Sequence, residues 1–158
     1  MPKQEWSINT GEAYAGEQYG LATTNSQRLT YSTDAEMSAY GMAVVQGAKS
    51  NTIKVGLTAK GSILGITMRE LKLESKTRPG DGTVLIPKGQ PLGVMLEGPI
   101  MVKLKTAITD STVGVSASGE FGAVDATYFE AKNVKALKYP ASAGEVIPVY
   151  VAVALPKQ

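Results

Sequence analysis

The sequence predicts an all-β domain: a compact antiparallel sandwich or barrel, jelly-roll-like, with an extended N-terminal arm. Three observations carry that expectation. Seventeen Gly and eight Pro fall as punctuation between short apolar runs, the pattern of many short strands joined by turns. Several of those runs alternate apolar with polar residues, the period of a half-buried strand. Helical periodicity is nearly absent. Its best candidate, Asp34 to Tyr40, with Thr33 or Asp34 as cap, is one or two turns long and too short to organise a fold.

The strands follow in order. Arg28 to Tyr31 comes first, then Gly41 to Val45, ended by Gln46-Gly47. Thr52 to Leu57 sets Ile53, Val55 and Leu57 against Thr52, Lys54 and Gly56. Ile63 to Met68 is nearly continuously apolar, as suits a strand buried on both faces. Leu71 to Glu74 alternates again and runs into Arg78-Pro79-Gly80-Asp81-Gly82, where Pro presets φ and Gly supplies φ > 0. Thr83 to Ile86 stops at Pro87-Lys88-Gly89. Leu92 to Leu96 and Ile100 to Leu104 read as two strands joined by the turn Glu97-Gly98-Pro99. Thr106 to Ala123, rich in Ser, Thr, Gly and Ala, reads as a weak strand within a long surface loop. Tyr128 to Leu137 anchors a strand pair through Phe129, Val134 and Leu137. Ala141 to Glu145 turns the chain into Val146 to Leu155, with Val149, Val151, Val153 and Leu155 on one face. Nine to eleven short strands suit one domain, since domains cluster around ~100–150 residues.

The N-terminal segment differs. Half of the ten aromatic residues, Trp6, Tyr14, Tyr19, Tyr31 and Tyr40, lie within the first 40 positions. That stretch has two basic and five acidic residues, a balance of −3, against 14 and 9, or +5, for residues 41–158. Ser7 to Asn25 is poor in Val, Ile and Leu, and so makes a poor core strand. The reading is an extended arm over residues 1–27 and a single β domain over 28–158. The arm packs against something else or covers one end of its own domain.

Composition then removes chemistry. There is no Cys and no His, which excludes disulfides, thiolate catalysis, a conventional zinc site and a His-based triad. Glu70 and Glu74 on a strand stand ~13 Å apart, too far for a retaining glycosidase pair and long for an inverting one. Asp81 sits in a turn that favours Asp for backbone reasons, without the acidic loop of an EF-hand. Gly114, Gly119 and Gly122 lack dinucleotide-fingerprint spacing, and no Gly-Lys-Ser/Thr occurs. A calcium ligand at Asp81 and a Ser–Lys dyad stay open, but no motif points to either, and no metal or cofactor site is expected. A net charge of +2 argues against nucleic acid, and the local excess over residues 49–78, seven Lys/Arg against Glu70 and Glu74, has no aromatic residue among it. Alternating Lys keeps sheet faces soluble, or forms a footprint for an acidic protein surface. No apolar run approaches the ~20 residues of a membrane span, no secretory h-region opens the chain, and synthesis in a cytoplasm is expected.

The order of the turn and strand signatures is distinctive. Gly41-Met42-Ala43-Val44-Val45-Gln46-Gly47 precedes Gly61-Ser62-Ile63-Leu64-Gly65-Ile66. Pro87-Lys88-Gly89-Gln90-Pro91-Leu92-Gly93-Val94 leads to Gly98-Pro99-Ile100-Met101-Val102, and Ser142-Ala143-Gly144-Glu145 introduces a Val-rich last strand. Over residues 28 to 155 this resembles the head decoration, or structural cement, proteins of tailed bacteriophages. The N-terminal 27 residues match that pattern poorly. The resemblance implies a β domain on the outer surface of the virion's capsid, clamping neighbouring major capsid protein subunits as a dimer or trimer, with no catalysis, cofactor, nucleic acid or membrane involved. Trp6, Tyr14, Tyr19, Tyr31 and Tyr40 are the expected interface anchors, because aromatics supply hot spots at low rotamer-entropy cost. Loss of residues 1–27 is expected to weaken attachment without unfolding the domain. The alternative is a carbohydrate- or receptor-binding β module of a phage tail or fibre.

Overall fold

The computed structural model describes residues 14–19, 26–70 and 84–154. Their nine elements are all strands: β1 (Gln27–Thr33), β2 (Ala43–Gln46), β3 (Thr52–Val55), β4 (Gly65–Thr67), β5 (Pro91–Lys103), β6 (Thr112–Ser116), β7 (Phe121–Gly122), β8 (Tyr128–Ala136) and β9 (Val146–Val151). The all-β expectation holds, and of its two forms the chain takes the barrel. β1 bonds to both β3 and β5, so β1, β3, β2, β4 and the first half of β5 close into a five-stranded ring. Closure leaves no open sheet edge between those strands. Every pairing in that ring is antiparallel except β1 with β3, which is parallel through Ser32–Thr52 and Thr33–Ile53.

A second ring grows from the same strand. Beyond Gly98, β5 pairs with β9, β9 with β8, β8 with β6 and β6 with β7. A parallel bridge from Leu104 to Phe121, with the Lys105 amide donating to the Phe121 carbonyl at 2.8 Å, brings β7 back to β5. β5 is therefore one continuous strand of 13 residues serving two rings, where the sequence reads two strands and a turn at Glu97-Gly98-Pro99. Gly98 has φ of 129°, which L side chains rarely adopt, so the chain bends there without reversing. Pro99 has no amide hydrogen to satisfy, and its carbonyl is still used.

Two clusters form the core. Val44, Ile53, Leu92 and Val94 fill the first ring, with Met37, Tyr40 and Ile86 added from its connections. Ala43, Ile66 and Met95, side by side on the outer wall of that ring, pack with Ile100, Val102 and the interior of the second. β4 is thus buried on both faces, as its apolar run predicts, and full burial of a side chain such as Ile66 stabilises by ~1.5–3 kcal/mol.

Other expectations change as well, and of the strand expected at Thr83 to Ile86 the described residues keep only a bridge at Ile86. Asp34 to Tyr40 forms no helix; it is tied to Ile86 by a bridge at Met37, because the apolar Met37 and Tyr40 are drawn into the first core. Thr106 to Ala123 is not a surface loop. It supplies β6 and β7, with Val113, Val115 and Phe121 buried, and its small residues permit close packing: a Cβ on Gly114 would lie 2.9 Å from that of Tyr128. Tyr128 to Leu137 is a single strand ending at Ala136, with Leu137 exposed. β9 ends at Val151, so Val153 stands exposed beyond it rather than in the core, and Leu155 lies outside the described residues. The strand expected at Leu71 to Glu74 and the turn through Gly82 also lie outside them.

Candidate functional site

Residues 14–19 lie along β5 just past its bend. Gln18 faces Ile100 in an antiparallel bridge. The Met101 amide donates to the Glu17 carbonyl at 2.8 Å, the Tyr19 amide to the Pro99 carbonyl at 3.2 Å, and the Gly16 amide to the Met101 carbonyl at 2.8 Å. This strap covers β5 on the edge away from β9, where both rings share a strand. Arg69 fastens it from the other side. Its amide donates to the Gly16 carbonyl at 3.0 Å, its guanidinium bonds Glu17 at 2.6 Å, and the same group lies 3.9 Å from the Tyr14 ring centroid, a cation–π contact. An arm segment short of aliphatic residues is held by backbone bonds and one arginine rather than by core burial.

The five aromatic residues singled out by sequence separate in three dimensions. Tyr14 and Tyr19, on the strap, are 54% and 48% exposed. Tyr31 is half-buried against the first core cluster. Tyr40 is 5% exposed within that cluster, and its hydroxyl donates to the Glu70 carbonyl at 3.0 Å, so its ring serves the domain's own core. Trp6 lies outside the described residues. The structure thus leaves Tyr14 and Tyr19 exposed on the strap, and it takes Tyr40 away from any surface.

Sequence reasoning missed Arg69, which looked like one of several lysines and arginines on a basic stretch. It also took Leu137 for an anchor of a strand pair, where the side chain is exposed, and passed over Pro148 and Tyr150. The signal for the last two was present, because Val146-Ile147-Pro148-Val149-Tyr150-Val151 alternates and its outward set is Val146, Pro148 and Tyr150.

Three surface carboxylates have ordinary structural partners. Asp125 accepts from the Thr127 and Tyr128 amides and the Thr127 hydroxyl, which holds its carboxyl below the usual range. Glu130 is held low by its bond to Lys60, with Lys135 and Lys132 adding weaker attraction. Glu145 is held low by Lys138 and by the Ser142 amide. Among the described residues no three acidic side chains gather as a metal site. A cleft of about 330 Å³ opens between Gly16, Glu17, Gln18, Met68 and Arg69. Its two charged groups, Glu17 and Arg69, neutralise one another, and the buried Gln18 Nε2 at its edge has no hydrogen-bond partner. Among the described residues, no helix is long and apolar enough to cross a membrane.

Comparison with known proteins bears on this arrangement. No curated protein matches the chain. Among solved structures, a chain from the capsid of Myoviridae phage XM1 superposes with a TM-score of 0.63 at 17% identity, covering 95% of this chain and 96% of that one. The N base of head fibre gp8.5 of bacteriophage phi29 gives 0.49 at 12% identity, over 84% of this chain and 99% of that one. The first likeness supports the double-ring β fold. The sequence model of the family described as structural cement protein (E217 gp24/Pam3 gp6) matches residues 1–152, nearly the whole length, and the chain therefore belongs to that family of capsid-stabilising phage structural proteins.

Proposed function

We propose that this protein decorates the outer surface of the phage head, binds the major capsid protein across the joints between neighbouring subunits, and does so as a dimer or trimer without catalysing a reaction. The observation that carries the reading is the family match over residues 1–152. The geometry supports it. Two rings sharing one strand make a stiff body, and the strap offers Tyr14 and Tyr19 at its surface while their backbone is already ordered. Pre-ordered aromatic anchors bind with little entropy loss. Repeated over a symmetric shell, each modest contact gains through avidity.

Quantitative protein analysis of purified virions tests the proposal together with antibody labelling of intact particles. Hundreds of copies, near parity with the major capsid protein and open to antibody, are expected. A handful of copies would point to a tail or fibre module instead, and copies hidden from antibody would place the protein inside the shell.

A further inference from the structure

The outer face of the second ring is apolar where a solvated sheet face would be polar. On β5, β9 and β8 the residues alternating with buried Ile100, Val149 and Ala136 point outward. Pro99 stands opposite Tyr150, and Tyr150 opposite Lys135. Met101, itself only 8% exposed, stands opposite Pro148, whose carbonyl accepts from the Leu137 amide at 2.9 Å. Tyr19 of the strap extends the first row through its bond to Pro99. Directly opposed side chains in such rows start ~4.5–5.5 Å apart, close enough to form one continuous surface. Tyr19 and Leu137 are about half exposed, at 48% and 50%, and Pro99, Pro148 and Tyr150 are partly so. Tyrosine, proline and leucine fill these rows, and the one carboxylate that reaches them, Glu17 of the strap opposite Met101, is taken up by Arg69, so the composition is that of an interface centre. A contiguous apolar face of this kind marks a contact surface.

The charges beside it indicate what it contacts. Lys135 closes the first row, and Lys103 lies next along β5, opposite Val146; both are exposed and neither forms a salt bridge among the described residues. The carboxylates flanking the face are engaged, Glu17 with Arg69 and Glu145 with Lys138. A second copy of this chain would therefore bring these lysines no free acidic partner from its own matching face. We propose that the face docks on a protein surface whose apolar centre is rimmed by carboxylates, an acidic patch of the capsid shell, with Lys103 and Lys135 at the periphery. The inference rests on the function proposed above, because it names the side of the domain that meets the shell.

The test is binding of purified protein to heads that lack it, measured by co-sedimentation at low and moderate salt. Three proteins are compared: wild type, Leu137→Asp, and the double variant Lys103→Glu/Lys135→Glu. Leu137→Asp is expected to weaken binding about tenfold or more at both salt levels, since it puts a charge in a desolvated centre. The double variant is expected to weaken binding mainly at low salt and to flatten its salt dependence, since rim charges act through screened attraction. Unchanged thermal melting shows that both variants fold. The inference is overturned if both saturate heads like wild type, or if Leu137→Asp changes only the oligomeric state and leaves head binding intact. Wild type that leaves heads bare removes the proposed function itself, and this inference with it.

Discussion

Arg69 holds the strap through contacts that a smaller side chain lacks. Its guanidinium bonds Glu17 and lies over the Tyr14 ring, and its side chain is only 17% exposed, so this pair is less screened than an ordinary surface one. The backbone bond from its amide to Gly16 would survive substitution. Arg69→Ala is therefore expected to loosen the strap without unfolding the rings. The measurement is amide hydrogen exchange: faster at Gly16 and Tyr19, by roughly tenfold if ~1.4 kcal/mol is lost, and unchanged in β9. Arg69→Lys keeps the charge but loses the planar fork and the stacking, so an intermediate effect is expected. Equal protection in all three proteins would mean that the backbone bonds alone hold residues 14–19.

At the level of the element, β5 decides the architecture, and it is also where the sequence was hardest to read. Leu92 to Leu96 and Ile100 to Leu104 are legible as strands because they are apolar and bounded by Gly and Pro. Glu97-Gly98-Pro99 reads as a turn because the same residue types build turns. What makes it a bend is long-range: β1 and β4 occupy one half of the strand and β9 the other, information no local window contains. Thr106 to Ala123 misled for a related reason. Its Gly, Ser and Ala look like loop composition, yet they are small because β6 packs closely on β8. The alternation in Thr52 to Leu57 and the apolar run of Ile63 to Met68 were legible since each reports its own burial directly. Of the surface, Tyr14 and Tyr19 could be picked out by residue type, whereas Tyr40 could not be told from them, its burial being a property of the closed ring. The bend itself makes a prediction. A Cβ at Gly98 would meet Ser26 Oγ at 3.0 Å and Met95 Sδ at 3.2 Å, at a φ unfavourable to any L side chain. Gly98→Ala is expected to lower stability by about 1–3 kcal/mol in chemical denaturation. A loss below a few tenths of that would show that the strand relaxes and that the glycine is not needed for the bend.

Over the whole molecule, the two rings share more than a strand. The turn after β6 reaches the first ring, where the Leu57 amide donates to the Ser116 carbonyl at 3.0 Å and the Ala43 amide to the Gly119 carbonyl at 2.9 Å. Asn133 of β8 clamps the other side: its Oδ1 accepts from the Ile63 amide at 2.9 Å, and its Nδ2 donates to the Ile63 and Ala152 carbonyls at 2.8 Å each. The larger hydrophobic cluster runs through both rings, with Ala43, Ile66 and Met95 from one and Val102, Val149 and Phe121 from the other. Opening either ring would expose part of that cluster, so neither is expected to persist alone. A single thermal transition is expected, with far-UV and tyrosine near-UV signals coinciding and the slowest amides of β2 and β9 exchanging at the same global rate. Asn133→Ala, which leaves partly buried backbone groups unsatisfied at the join, is expected to cost about 1–3 kcal/mol and to shift that one transition by roughly 2–4 °C per kcal/mol. If it instead splits the transition in two, the rings are separable bodies held by contacts at Asn133. A protein that stays single through the substitution unfolds as one cooperative body, with the strap on β5 and both rings in the same unit, as the proposed capsid-binding role would favour.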